Sequence, residues 1–121
     1  PFDTWKVRWA VMIAMDRASW NEFMMAGPAD MAPPAYWMHP ASPWSIPNEE
    51  YSKFPGWRQD KKDEDIAEAN RLMDEVFGGG ERPTVQCMAV ATDQSDIDAC
   101  LFVMDNLGKN LGMTLAMPMR H

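Results

Sequence analysis

The sequence contains no apolar run near the ~18 residues that a membrane-spanning helix needs, so these residues are read as soluble. Basic side chains are scarce: 11 Lys and Arg stand against 18 Asp and Glu, a formal net charge of -7, and they form no basic stripe. Nucleic-acid binding depends on Lys and Arg displacing counterions from phosphates, which excludes nucleic acid as a partner. His39 and His121 are not spaced as a ligand pair on one element, so no metal and no other cofactor is expected. There is no GxSxG elbow, and neither cysteine has a histidine close in sequence to activate it, so the chain is not read as an enzyme. Cys87 and Cys100 are too few for a disulfide framework and fit no common metal spacing. They are read as two buried thiols, with a disulfide left open should the protein be exported. Pro1-Phe2-Asp3 offers neither an initiator Met nor a basic start before an apolar stretch, and any signal peptide is expected to lie upstream.

What is present is enough for one domain, or a piece of one: 121 residues, 46% hydrophobic and 24% charged. Twelve Met and six Trp stand out. Met is flexible and polarizable and suits adaptable surfaces, but most of these fall in apolar patterns and are assigned to core filling.

Asp3 is placed as the cap of a helix whose face is Val7, Ala10, Val11 and Ala14, and Asp16 as the cap of a second with Trp20, Phe23 and Met24 on one face and a stop at Gly27. This helix pair occupies 1–27. From 28 to 61 the prolines 33, 34, 40, 43, 47 and 55 alternate with aromatics, predicting a long, extended, irregular loop that wraps along a surface. Residues 62–121 read as helix, strand, helix, strand. The charged run Asp60 to Asp65 is taken as the solvated first turn of a helix through Ile66, Ala69, Met73, Val76 and Phe77, ended by the glycines at 78–80. Thr84 to Ala91 is apolar on both faces, as in a buried parallel strand. Ser95 is placed as the cap of a helix lined by Ile97, Cys100, Leu101, Met104, Leu107 and Leu111 and ended by Gly112, and Met113 to Met117 is the next strand. A strand, helix and strand within about thirty residues has the size of a parallel crossover unit.

Few residues suggest chemistry. GGGERP at 78–83 precedes a strand instead of opening a helix, so it is a turn and not a phosphate cradle. Asp93, Asp96 and Asp98 gather where a strand turns into a helix; capping explains them more simply than carboxylate chemistry or calcium does. Ligands of open parallel sheets nevertheless sit beyond the carboxyl ends of the strands. Thr92, Asp93, Gln94, Ser95 and Asp96 are therefore the first ligand-binding candidates, and Tyr36, Trp37 and Trp44 of the aromatic loop the second.

Several segments point to a family. PFDTWKVRWAVMIAMDR resembles a segment of the family 5 extracellular solute-binding proteins of ABC importers, the peptide, nickel and opine binders. MAPPAYW resembles that family's proline-rich exit loop, FPGWRQDKKDEDIAEANRLMDEVFG its proline-glycine-aromatic turn and following helix, and LFVMDNLGKNLGMTLAM its helix ending before a strand. Val76-Phe77-Gly78 departs from the usual Ala-Gly-Tyr, and Leu111 stands where another aliphatic residue is common. The resemblance implies an α/β fragment of a periplasmic-binding-protein type II lobe, with 1–121 a single partial domain of the second lobe. It also implies capture of a peptide or similar small solute outside the cytoplasmic membrane, in the periplasm or as a membrane-anchored lipoprotein, and delivery to an ABC permease. A lobe cut in this way is expected to self-associate through bare strand edges. Two other readings stand beside it: an interaction domain using the Trp- and Pro-rich loop, and a small enzyme using the carboxylates around Asp93.

Overall fold

The structure, a computed structural model, describes residues 1–25 and 42–120. Helix α1 (Trp5–Ala14) buries Val7, Ala10, Ile13 and Ala14, so Ile13 takes the place expected of Val11, which is only partly buried. Its N-cap is Thr4, not Asp3, and the Thr4 carbonyl accepts from Val7 and Arg8 N–H. Asp16 caps α2 (Arg17–Met25) as expected: its carboxylate accepts from Ser19 N at 3.1 Å and Ser19 Oγ at 2.7 Å. The expected stop at Gly27 and the first part of the proline-rich loop lie outside the described residues.

The described remainder of that loop is not extended. It contains α3 (Asn48–Tyr51) and a 3-10 turn at Gln59–Lys61, linked by Lys53 N–H to Glu50 O, Phe54 N–H to Tyr51 O and Trp57 N–H to Phe54 O. The reason is positional: Pro47 sits just before a helical turn, where a fixed φ helps and a missing N–H costs nothing, and its carbonyl accepts from Glu50 and Tyr51.

Helix α4 (Lys62–Phe77) places Ala69, Leu72 and Met73 against α1, and Gly78 closes it in the left-handed conformation at φ 69°. The charged run before it is not wholly solvated. Asp65 is 1% exposed and accepts from Gly56 N–H at 2.7 Å, Arg58 Nε at 3.0 Å and Arg58 Nη2 at 2.7 Å. A turn seven to nine residues upstream folds back and gives this carboxylate the partners that burial demands.

The strand expected at 84–91 is interrupted. β1 (Thr84–Gln86) pairs in parallel with β3 (Thr114–Ala116), and β2 (Ala89–Val90) with β4 (Met119–Arg120). Both ladders keep an offset of 30 residues, from Thr84↔Thr114 to Ala89↔Met119, so they are one two-stranded ribbon broken in its middle. Pro118, which has no N–H to donate, lies in the gap on one strand. The crossover is α5 (Gln94–Leu111), ended by Gly112 at φ 65°. The inward phase survives the break: Val85 and Ala89 are buried and Cys87 partly so, whereas Thr84, Gln86, Met88 and Val90 are exposed. Only one face of the ribbon is covered, by α1, α4 and α5, and the strand is not buried on both faces as its composition suggested. Leu101, expected in the core, is exposed; Cys100, Leu107 and Leu111 form the buried side of α5. No described helix is long and apolar enough to cross a membrane.

Gly56 holds the folded-back turn. Its φ is +90°, and a Cβ there would stand 3.0 Å from Ile13 Cα and 3.2 Å from Met12 O, backbone atoms that cannot swing aside. Gly56→Ala should therefore lower unfolding stability by about 2–4 kcal/mol through overpacking and backbone strain. Asp65→Asn should cost about 1–3 kcal/mol, because Arg58 loses its charge partner and the buried carboxylate acceptor is replaced by a neutral group. Urea midpoints measure both; a change under about 0.5 kcal/mol in either would show that the turn is not held in this way.

Candidate functional site

The first candidate is built where β2 hands over to α5. Asp93 N–H donates to Val90 O at 3.0 Å, which closes a tight turn through Ala91 and Thr92. Asp93, not Ser95, is the N-cap: its Oδ1 accepts from Ser95 N at 2.9 Å, Ser95 Oγ at 2.6 Å and Asp96 N at 3.4 Å. The helix thus begins two residues earlier than a cap at Ser95 would place it. The Ser95 hydroxyl, then the Ser95 and Asp96 amides, hold the Asp93 carboxyl below its ordinary range. Gln94 Nε2 donates to Asp98 Oδ1 at 2.7 Å. Thr92 to Asp96 are all exposed: Asp93 and the Ser95 hydroxyl donor are committed to ordering the turn and the Gln94 amide donates to Asp98, whereas Thr92, Asp96 and the Gln94 and Ser95 side-chain oxygens are presented as hydrogen-bonding groups.

A disulfide fixes this corner. Cys87 and Cys100 are bonded, with Cα atoms 5.9 Å apart, so they are not the two free thiols expected. The physical reason is the strand phase: Cys87 occupies an inward position, beneath the second turn of α5, where Cys100 is buried.

Of the second group of candidates, Tyr36 and Trp37 lie outside the described residues. Trp44 is 83% exposed, in a turn where its N–H donates to Ser42 Oγ at 3.3 Å. The structure does not bring it to the strand-end corner through any hydrogen bond or ring contact of the described residues.

An apolar hollow that sequence reasoning missed lies between α2 and α5, lined by Met15, Asp16, Arg17, Trp20 and Val103, with a volume of about 210 Å³. Beside it the Phe102 ring takes Trp20 edge-on at 5.3 Å and Phe23 in a stack at 5.8 Å. Arg17 is stacked on Trp57, its guanidinium carbon 3.8 Å from the ring centroid. Burial, partly offset by Asp65, lowers its pKa to about 10. The only signal in the sequence was the Trp20 and Phe23 spacing, which names a face but not its partner. Among the described residues no group of three His, Cys, Asp or Glu could hold a metal ion.

The architecture is α/β, with helices packed on a small parallel sheet. No family model matches the sequence, nor does any curated protein sequence. Among solved structures, the murein tripeptide binding protein MppA of Escherichia coli superposes with a TM-score of 0.68 at 18% identity. The superposition covers 100% of this chain and 22% of that one, so the chain spans about a fifth of the length of the protein it matches.

The Asp93 cap has a defined pH signature. A carboxyl held below its unfolded value adds stability above the unfolded pKa, about 3.9, and loses it as pH falls through the lower folded value. Amide exchange at Ser95 and Asp96 should therefore accelerate as pH drops below about 4, after correction for intrinsic rates. Asp93→Asn, which still caps, should flatten that dependence, and Asp93→Ala should accelerate exchange at neutral pH too. Identical profiles for all three proteins would remove Asp93 as the ordering group.

Proposed function

We propose that these residues are part of a solute-binding protein that captures peptides or similar small solutes outside the cytoplasmic membrane and delivers them to an ABC permease, with no catalysis of its own. One observation carries the reading: the whole chain follows the fold of part of a protein that binds a murein tripeptide. The Cys87–Cys100 disulfide adds support, since such bonds persist in oxidising compartments and not in the cytosol. In this reading Thr92, Gln94, Ser95 and Asp96 contribute hydrogen-bonding groups at one wall of a cleft, and Asp93 holds the turn that presents them. Trp44, with Tyr36 and Trp37, is the second contributing group. Capture proceeds by hinge closure of the two lobes on the solute, which removes it from water.

Calorimetry tests this directly. A full-length protein that contains these residues should bind peptides of three to five residues with micromolar affinity, whereas the 121-residue chain alone, carrying one wall, should give no measurable heat. A folded full-length protein that binds none of a mixed peptide set would sink the peptide reading. Micromolar binding by the isolated chain would show that the site is complete within it.

A further inference from the structure

We propose that the Cys87–Cys100 disulfide is a positioning clamp for the strand-end loop. Residues 87–100 form a closed ring that contains β2, the whole of Thr92 to Asp96 and the first turns of α5. Its effect on solute affinity rests on the function proposed above; its effect on the loop does not.

The ring encloses the least supported part of the ribbon. β2 is two residues long and pairs with only two residues of β4. The ladder is broken at Cys87 and Met88, although Cys87 N–H still donates to Ala116 O at 2.9 Å. Beyond it Thr92 to Asp96 are all exposed, and the hydrogen bonds that order them run within the turn itself. Ala89 is the buried anchor between the cysteines. A segment with one buried side chain and short ladders is one that opens locally without global unfolding. The covalent link from an inward strand position to the second turn of α5 closes that route. It ties strand end and helix start together, with Cys100 Sγ 3.5 Å from Met88 O. A ligand meeting this loop then finds it already ordered, and ordering cost is subtracted from affinity wherever it must be met on binding.

The burial of Cys100 makes the clamp durable. Cys87 is partly exposed and Cys100 is 6% exposed, so an external thiol reaches the Cys87 side. Attack there forms a mixed disulfide at Cys87 and expels the Cys100 sulfur as a thiolate into a buried site beside the Met88 carbonyl, where a poorly solvated thiolate is a poor leaving group. A second external thiol then resolves the mixed disulfide, so two small thiols become one small disulfide and both cysteines become thiols. The buried leaving group slows the first step in the folded chain.

The experiment compares three forms of the 121-residue chain by amide hydrogen exchange: oxidised, Cys87→Ser/Cys100→Ser, and native sequence reduced and alkylated after brief denaturation. Amides of residues 88–96 should exchange at least tenfold faster in the two unclamped forms, while those of α4 around Ala69 to Met73 stay slow. Equal exchange at 88–96 in all forms, or two titratable thiols in protein produced under oxidising conditions, would overturn the clamp. Should the double variant not fold, as far-ultraviolet circular dichroism would report, the alkylated form decides. In the full-length protein the unclamped forms should lose about tenfold in peptide affinity. If exchange accelerates but no form binds peptide, the solute-binding reading fails and the clamp stands; if peptides bind equally to all forms while exchange accelerates, the loop is clamped but is not a wall of the site.

Discussion

Helix α1 ends without a cap of its own, and the arrangement of the other helices follows from how that end is satisfied. Met15 leaves the helix in an extended conformation, so the last carbonyls have no backbone partner. Donors arrive from three elements instead. Arg17 Nη1 reaches Met12 O at 2.9 Å from α2, Lys62 Nζ reaches Met15 O at 2.9 Å and Ile13 O at 3.4 Å from α4, and Asn110 Nδ2 reaches Ala14 O at 2.8 Å from α5. A buried polar group left unpaired costs about 1–3 kcal/mol, so each donor fixes its helix as well as its side chain. Two of them are cations at a helix C-terminus, where the macrodipole favours positive charge. Both also donate to Gly56 O at 2.9 Å, and Asp65 accepts from Gly56 N–H, so the folded-back turn is held by the same cluster. Burial and the neighbouring Arg17 charge lower the Lys62 pKa, the electrostatic cost of gathering cations in one place.

This dependence explains which parts of the fold can be read from sequence. α4 and α5 end on Gly78 and Gly112, whose left-handed φ lets the backbone close its own last turn. Their ends were legible because everything needed lies within a few neighbouring residues. The end of α1 was not, because its partners stand at 62 and 110. Asp65 was misread for the same reason: within a charged run nothing local separates it from Asp63 or Glu64, and Gly56 and Arg58, which decide its burial, belong to a turn the prolines disguised as extended chain. The parallel crossover was legible, since an apolar strand, a periodic helix and another apolar strand admit few arrangements. Its interruption was not.

At the strand-end corner, its place in the fold was legible and the hydrogen-bonding roles of its residues were not. A strand running into a helix marks the corner of a parallel sheet whatever its residues. That Asp93 caps, leaving Ser95 as donor to it, depends on where the turn closes, which Asp93 N–H and Val90 O determine. The cysteine pairing depends on strand phase and on the height of Cys100 along α5, two quantities that meet only in three dimensions. The α2–α5 contact likewise brings Trp20 and Phe102 face to edge, and no spacing in either helix states that it does.

The uncovered face of the ribbon changes character along its length. Upstream of the break it presents Thr84 and Gln86, with Thr114 on the neighbouring strand, side chains at ease in water. Downstream it presents Met88 and Val90, which are 57% and 46% exposed and lie at positions i and i+2 of the same outward phase. A face meant only for solvent would have no use for an apolar pair at its strand ends, and a face meant for a helix layer would not be polar at its start. The apolar part lies inside the disulfide ring, next to Thr92 to Asp96. The covalent link therefore steadies the polar strand-end loop and the adjoining apolar pair together, so that both are presented by one small, rigid corner.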